Sequence, residues 1–255
     1  MRDVDYLKRM RQTSSPTLLV FTLGATRESA RRSLVPEELK GLEIELREGC
    51  LAAALAAGRA CGCRLEVSSP APLPIPADAA DVNNVPQPGT GFGPRLERAM
   101  LGAFERGAGP LLIVGTDVPG LSSRHLDDAL SLLDEDPERV VVGPSPDGGF
   151  YLLACRRPVD GLAAAARWCR RETLRDLLQT LRAAGRPVVL LAPLADLDRP
   201  ADLERWLAGA DARWHGLTAL LRRALAGLRR PLIPAWIGEP RLSFVPILAG
   251  RAPPA

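Results

Sequence analysis

The chain has 255 residues, enough to bury a full core in one α/β domain with or without an appendage, so a two-domain reading is not required. Its basic residues are 31 arginines and two lysines, but 30 acidic residues are interleaved with them and the net charge is only +3, which argues against a dedicated nucleic-acid surface. Five cysteines without a C-x-x-C pair, a charged N-terminus without an apolar core and the lack of any apolar run of membrane-spanning length argue against a zinc site, a signal peptide and a membrane protein, and leave cytoplasmic free thiols as the expectation.

After a polar leader, residues 1–16, the run "TLLVFTL" (17–23) predicts a buried strand that stops at Gly24. "PEELKGLEIELREGCLAAALAAGRACG" has helical composition and spacing, and "CRLEVSSP" reads as a second strand. Residues 71–93 hold so many Pro, Gly and Asn that neither a helix nor a long strand fits, and a loop of that length in a compact domain is often functional. "PRLERAMLGAFERG" returns to helix, with Leu96, Met100 and Phe104 on one face.

"PLLIVGTD" has the near-continuous apolar pattern of a strand covered on both faces, and "SSRHLDDALSLLDED" follows as a helix with Ser122 or Ser123 as its N-cap. "RVVVGPSPDGGFYLLACRRP" contains two strand-like runs around a turn at Pro144 to Gly149. A helix ending at Gly185, a strand in "RPVVLLAPLADLD" and a helix opened by Pro200, with Asp202 in its first turn, complete the pattern. The remainder, an amphipathic helix and then a Pro-broken apolar tail, reads as an appendage that packs on the domain or on a second subunit.

Strands alternating with helices predict a three-layer α/β/α domain around a mainly parallel sheet. A ligand site then belongs at the carboxyl ends of the strands, which singles out Asp117, Asp147, Asp196 and Asp198. Carboxylates converging from several strands suit a hard cation, Mg²⁺ or Mn²⁺, bridging protein to phosphate oxygens. For Asp196 a helix-cap or turn role is as good a reading as a ligand. Other chemistries are poorly supplied: His125 lies inside a helix, "GTGFG" lacks the P-loop Lys-Ser/Thr, no G-x-S-x-G or H-E-x-x-H is present, and the tryptophans, Trp168 included, read first as packing residues.

Four segments carry a family resemblance: "FGPRLERAMLGAFERGAGPLLIVGTDVPGLSSRHLDDAL", "VVVGPSPDGGFYLLACRRP", "WCRRETL" and "LLAPLADLDRPADLERW". In this order they resemble the glycosyltransferase-A-like family of unknown function, also called radical-SAM/selenodomain-associated transferases, of the nucleotide-diphospho-sugar transferase superfamily. The resemblance runs over residues 17–207 and is strongest over 92–206. It implies a GT-A-like domain at 17–207, with residues 208–255 as a C-terminal helical and Pro-rich extension.

It further implies that Asp117 sits where metal and nucleotide phosphates meet, beside Thr116, and that Asp198 of "LDRPADL" is a second metal ligand. Asp147 falls on the acceptor side as the catalytic acid or base, with Gly148 and Gly149 allowing close approach, and Glu172 and Thr173 contact the ligand. The N-terminal part departs from the family's basic loop: Arg31 stands where a Lys is usual, but Leu23, Ser29 and Ser33 replace Lys, Arg and Arg. Arg27, Arg31 and Arg32 are left as the phosphate contacts, and so much lost positive charge bears on any phosphate-transfer transition state.

The expected activity is therefore metal-dependent glycosyl transfer from a nucleotide-sugar to a small-molecule acceptor. A nucleotidyltransferase acting on a phosphorylated small molecule and a non-catalytic binding or scaffold protein with a degenerate phosphate loop are the alternatives. A homodimer is an admissible assembly, and neither a membrane nor a nucleic acid is an expected partner.

Overall fold

The computed structural model describes residues 15–74 and 79–228. Most of the leader and the Pro-rich tail, 229–255, lie outside the described residues. Among the described residues seven strands form one sheet: β1 (Thr17–Phe21), β2 (Arg64–Ser69), β3 (Val82–Pro86), β4 (Leu111–Val114), β5 (Val140–Pro144), β6 (Phe150–Cys155) and β7 (Val188–Leu190), in the spatial order β3-β2-β1-β4-β6-β5-β7. Only β6 runs antiparallel to its neighbours, β4 and β5. Beside β1 the chain order reverses, with β2 on one side and β4 on the other, which opens a crevice at the strands' carboxyl ends.

Alternation along β1 splits the core into two layers. Leu18 and Val20 pack with helices α2 (Lys40–Ala60) and α4 (Ser123–Glu135), while Leu19 and Phe21 pack with α3 (Phe92–Glu105) and α5 (Thr173–Ala183). Both faces of the strand are buried, as a near-continuous apolar run requires. The expected α/β/α sandwich is therefore the observed one.

Three local readings are refined. The stretch aligned with a basic loop is a seven-residue helix, α1 (Ala25–Arg31), entered through Gly24 at φ 87°. The Pro/Gly/Asn-rich segment contributes the short edge strand β3, paired in parallel with β2. "RPVVLLAPLADLD" is a strand for only three residues, after which it runs extended toward the crevice.

A third apolar cluster joins α2 to helices α6 (Pro200–Gly209) and α7 (His215–Leu228) through Leu46, Leu203, Trp214 and Leu221. The turn between α6 and α7 also clamps the loop after β4, because Trp214 Nε1 donates to the Pro119 carbonyl at 3.2 Å and Arg213 donates to the Pro119 and Leu121 carbonyls, each at 3.1 Å. Among the described residues no helix is long and apolar enough to cross a membrane.

Candidate functional site

β4 ends at Val114, and Gly115-Thr116-Asp117 turns into the crevice. The Asp117 carboxylate folds back over Gly115, where a Cβ would lie 2.7 Å from its Oδ1, so any larger residue there would push the carboxylate aside. Thr116 shares a hydroxyl hydrogen bond of 2.9 Å with Thr22 at the end of β1. The segment after β7 is then laced to the sheet: Leu191 N–H donates to Val142 O at 3.0 Å, Leu194 N–H to Pro144 O at 3.1 Å and Leu197 N–H to Asp117 O at 2.8 Å. These bonds deliver Asp196 and Asp198 beside Asp117, with Leu197 buried between them.

The turn between β5 and β6 supplies the next carboxylate. Gly149 N–H donates to Asp147 Oδ1 at 2.8 Å, and Gly148 adopts φ 96° with its backbone against Arg171, whose carbonyl oxygen would be 2.0 Å from any Cβ there. Carboxylate oxygens of Asp147, Asp196 and Asp198 lie within 4.8 Å of one another. The expected metal pair, Asp117 and Asp198, is thus divided: Asp198 is in this triad, and Asp117 stands beside it as a charged neighbour.

The electrostatics follow from that crowding. Burial pushes the Asp196 carboxyl up to about 7, helped by the charges of Asp147, Asp117 and Asp198. Burial likewise raises Asp117 to about 6, with Asp198 and Glu28 adding to it. The one ion pair in the cluster joins Asp198 to Arg32; burial works against the Arg32 charge, but the Asp198 carboxylate outweighs it and holds the guanidinium above its ordinary value. An all-oxygen donor set, short of positive charge and partly withdrawn from water, fits a hard divalent cation.

Two cavities meet here. The first, about 130 Å³, runs from Arg31 and Arg32 past Thr116 to Asp117, and the second, about 350 Å³, holds Asp147, Asp196, Asp198 and Thr173. Arg32, Phe92, Asp117, Phe150 and Cys169 line both. Arg27 is not in either: it lines a neighbouring cavity of about 560 Å³ with Arg47 and Leu73. Thr173 spends its hydroxyl on the Arg167 and Arg170 carbonyls, at 2.9 and 2.7 Å, so it shapes the loop that walls the site, and Glu172 sits at the start of α5 outside both cavities.

Two residues outside the expected site line the second cavity, Asp196 and Trp168. Asp196 stands two positions before Asp198 in an extended segment, and that spacing places both on one side. Trp168 donates to the Ala163 carbonyl at 2.8 Å and packs on Phe92 with centroids 5.3 Å apart, so it is a packing residue whose ring also lines the second cavity. His125 is held at the start of α4 by Ser122, its Nδ1 lying 2.8 Å from Oγ.

A family model described as "Uncharacterized protein conserved in bacteria (DUF2064)" matches residues 53–170. A nucleotide-diphospho-sugar transferase structure from Desulfovibrio desulfuricans G20 superposes with a TM-score of 0.68 at 19% identity, covering 84% of this chain and 97% of that one. A phosphoenolpyruvate guanylyltransferase from Sphaerobacter thermophilus is 29% identical over 205 residues, 77% of this chain and 93% of that protein. A ribosomal RNA small subunit methyltransferase G from Bradyrhizobium sp. strain BTAi1 is 30% identical over 146 residues, and the aligned stretch spans 54% of this chain and 62% of that protein. The motif resemblance is borne out over residues 53–170, and the fold is that of the nucleotide-diphospho-sugar transferases.

Proposed function

We propose that this chain, which carries the DUF2064 signature over residues 53–170 on a nucleotide-diphospho-sugar transferase fold, transfers a group from a nucleotide donor to a small acceptor with the help of Mg²⁺ or Mn²⁺. One observation carries the reading: three aspartates from two different strand-end loops bring carboxylate oxygens within 4.8 Å of one another. Such mutual repulsion costs stability, and a bound cation is what makes it useful.

In this reading the donor lies in the first cavity with its phosphates toward Arg31, Arg32 and Thr116, and Asp147, Asp196 and Asp198 hold the cation, with Asp117 beside it. A bound divalent cation supplies Lewis acidity and balances the charge that develops on the phosphate oxygens. Arg32 releases Asp198 and turns its fork to the phosphates. For an acceptor hydroxyl, the Asp147 carboxylate oriented by the Gly149 N–H takes the proton with an oxygen the cation does not engage. An ionised phosphate or carboxylate acceptor carries no proton to remove, and in nucleotidyl transfer pyrophosphate departs as the acceptor oxygen bonds to the α-phosphorus.

Nucleotidyl transfer is favoured over glycosyl transfer, because the guanylyltransferase relative aligns over 93% of its length. Methyl transfer to RNA is not favoured, since the methyltransferase relative aligns over only 62% of its length. The unit we propose is a transferase domain over 17–207, against which Trp214 and Leu221 of the 208–255 extension pack through α2 and α6.

The test is a thermal-shift screen with nucleoside triphosphates and nucleotide-sugars, each with and without Mg²⁺ or Mn²⁺, for the wild type and Asp198→Asn. A metal-dependent rise with a triphosphate, absent in the variant, supports nucleotidyl transfer; a rise with an intact nucleotide-sugar instead supports glycosyl transfer. Failure of every nucleotide to shift the wild type would favour the non-catalytic reading, in which Arg32 and Asp198 simply neutralise each other.

A further inference from the structure

The second cavity holds four carboxylates, Asp117, Asp147, Asp196 and Asp198, and four arginines, Arg32, Arg170, Arg171 and Arg199. Only Arg32 uses a carboxylate. Arg170, Arg171 and Arg199 are exposed, and among the described residues none of their guanidinium groups has an ion-pair partner. The arginines just outside the cavity behave differently: Arg167 and Arg175 share Asp176, and Arg205 takes Asp202. Three guanidinium groups that line one cavity with four aspartates and are spent on none of them are available to an anion that enters it.

Their backbones are nevertheless fixed with respect to the carboxylate triad. Arg171 is wedged against Gly148, and the Gly148 carbonyl accepts from Leu174 N–H at 2.9 Å, so the 170–171 step rides on the same turn that presents Asp147. Arg199 follows Asp198 directly, and Asp202 Oδ2 accepts from both backbone N–H groups, at 3.2 Å from Asp198 and 2.9 Å from Arg199. Three long cationic side chains on two anchored loops therefore line the cavity that holds the aspartates.

A divalent cation on the floor would cancel much of its negative charge and leave the wall positive. Planar guanidinium forks pair bidentately with phosphate or carboxylate, and such charge-assisted bonds are roughly twice as strong as neutral ones. The volume, about 350 Å³, suits a small molecule, and Phe150 and Trp168 line it with apolar surface for a carbon skeleton. The donor's phosphates, by contrast, have their own arginine, Arg31, in the other cavity.

We propose that Arg170, Arg171 and Arg199 are specificity-determining residues that bind the anionic group of a small acceptor, a phosphate or a carboxylate, on the β5–β6 side of the site. The word acceptor rests on the transferase reading above; the anion site itself does not. In the absence of nucleotide but with Mg²⁺ present, the full chain is titrated at low, constant ionic strength with inorganic phosphate in one arm and malonate in the other, using the wild type, Arg170→Ala/Arg171→Ala and Arg199→Ala.

The wild type is expected to bind one of the two anions, each variant to lose at least about ten-fold in affinity, and Arg199→Lys to recover part of it as a point charge. Stronger binding of phosphate assigns a phosphorylated acceptor, and stronger binding of malonate assigns a carboxylate. A second titration follows the triphosphate identified by the screen: the variants should keep its affinity within about two-fold. Equal anion affinity in wild type and variants overturns the proposal, and so does a loss of nucleotide affinity as large as the loss of anion affinity, which would give these arginines to the donor. Arginine-dependent anion binding in a protein that binds no nucleotide would retain the anion site and sink the transferase reading alone.

Discussion

Glu43 and Asp196 are both carboxylates partly or wholly withdrawn from water, and the protein surrounds them in opposite ways. Glu43 is fully buried on α2, where it accepts from Arg47 Nε at 3.0 Å, from Leu34 N–H at 3.1 Å and from Ser33 Oγ at 3.2 Å. Arg47 in turn donates to the Arg32 carbonyl at 2.8 Å, so this compensated pair fastens the loop that leads α1 toward the site. Asp196 sits among Asp117, Asp147 and Asp198, with a single arginine pairing in the group. Where charge is buried for architecture its partners are built in; where it is left crowded with its own kind, the partner must come from outside.

Removing a built-in partner should have the largest effect. Arg47→Ala removes the nearest charge partner of a buried carboxylate, leaving it Leu34 N–H, Ser33 Oγ and the more distant Lys40, and is expected to cost about 3 kcal/mol, lowering the melting temperature by roughly 10 °C in thermal unfolding. A change of a few degrees or less would show that the Leu34 N–H, the Ser33 hydroxyl and Lys40 suffice to hold Glu43. Gly148→Ala places a Cβ against the Arg171 carbonyl at a left-handed φ, and we expect a loss of about 1–3 kcal/mol together with loss of anion binding in the second cavity, because the 170–171 step must move.

Relief of crowding should have the opposite sign. Asp196→Asn removes one of the mutually repelling charges, so at pH 8 the metal-free variant is expected to be at least as stable as the wild type, a result no ordinary structural ion-pair residue would give. At pH 4, where the wild-type group is already protonated, the gain should vanish.

The same charges give a smaller, pH-dependent signature. The folded-state carboxyls of Asp117 and Asp196 lie near 6 and 7, above the ordinary 3.8, so between those limits the folded protein holds more protons than the unfolded one. The stability they contribute is fully present below about pH 4 and is lost as pH rises through 6 and 7. Denaturant melts across this range, with and without Mg²⁺, should show the metal-free protein weakening toward neutral pH and the metal-loaded protein weakening less.

The layers of the fold were legible because periodicity reports burial: "TLLVF" and "LLIV" read as strands covered on both faces, and they are. Helix α1 was hidden by its short length and mixed polarity in "ATRESAR", and β3 by the Asn and Pro of "VNNVP", since pairing with β2 outweighs its own weak propensity. Individual aspartates at strand ends were legible for the same reason as the strands. Their convergence was not, because it depends on three cross-sheet backbone bonds from Leu191, Leu194 and Leu197 that no local pattern encodes. The self-pairing of Arg32 with Asp198, 166 residues apart, is equally a product of topology.

The claim on which the account turns is that Asp147, Asp196 and Asp198 form a cation site, and Mn²⁺ binding followed by electron paramagnetic resonance at pH 8 addresses it directly. We expect one saturable site in the wild type, weakened at least about ten-fold by either Asp198→Asn or Asp196→Asn in proteins that remain folded. Saturable binding that neither substitution alters, or no binding by the folded wild type, would contradict it and return the cluster to a tolerated electrostatic strain.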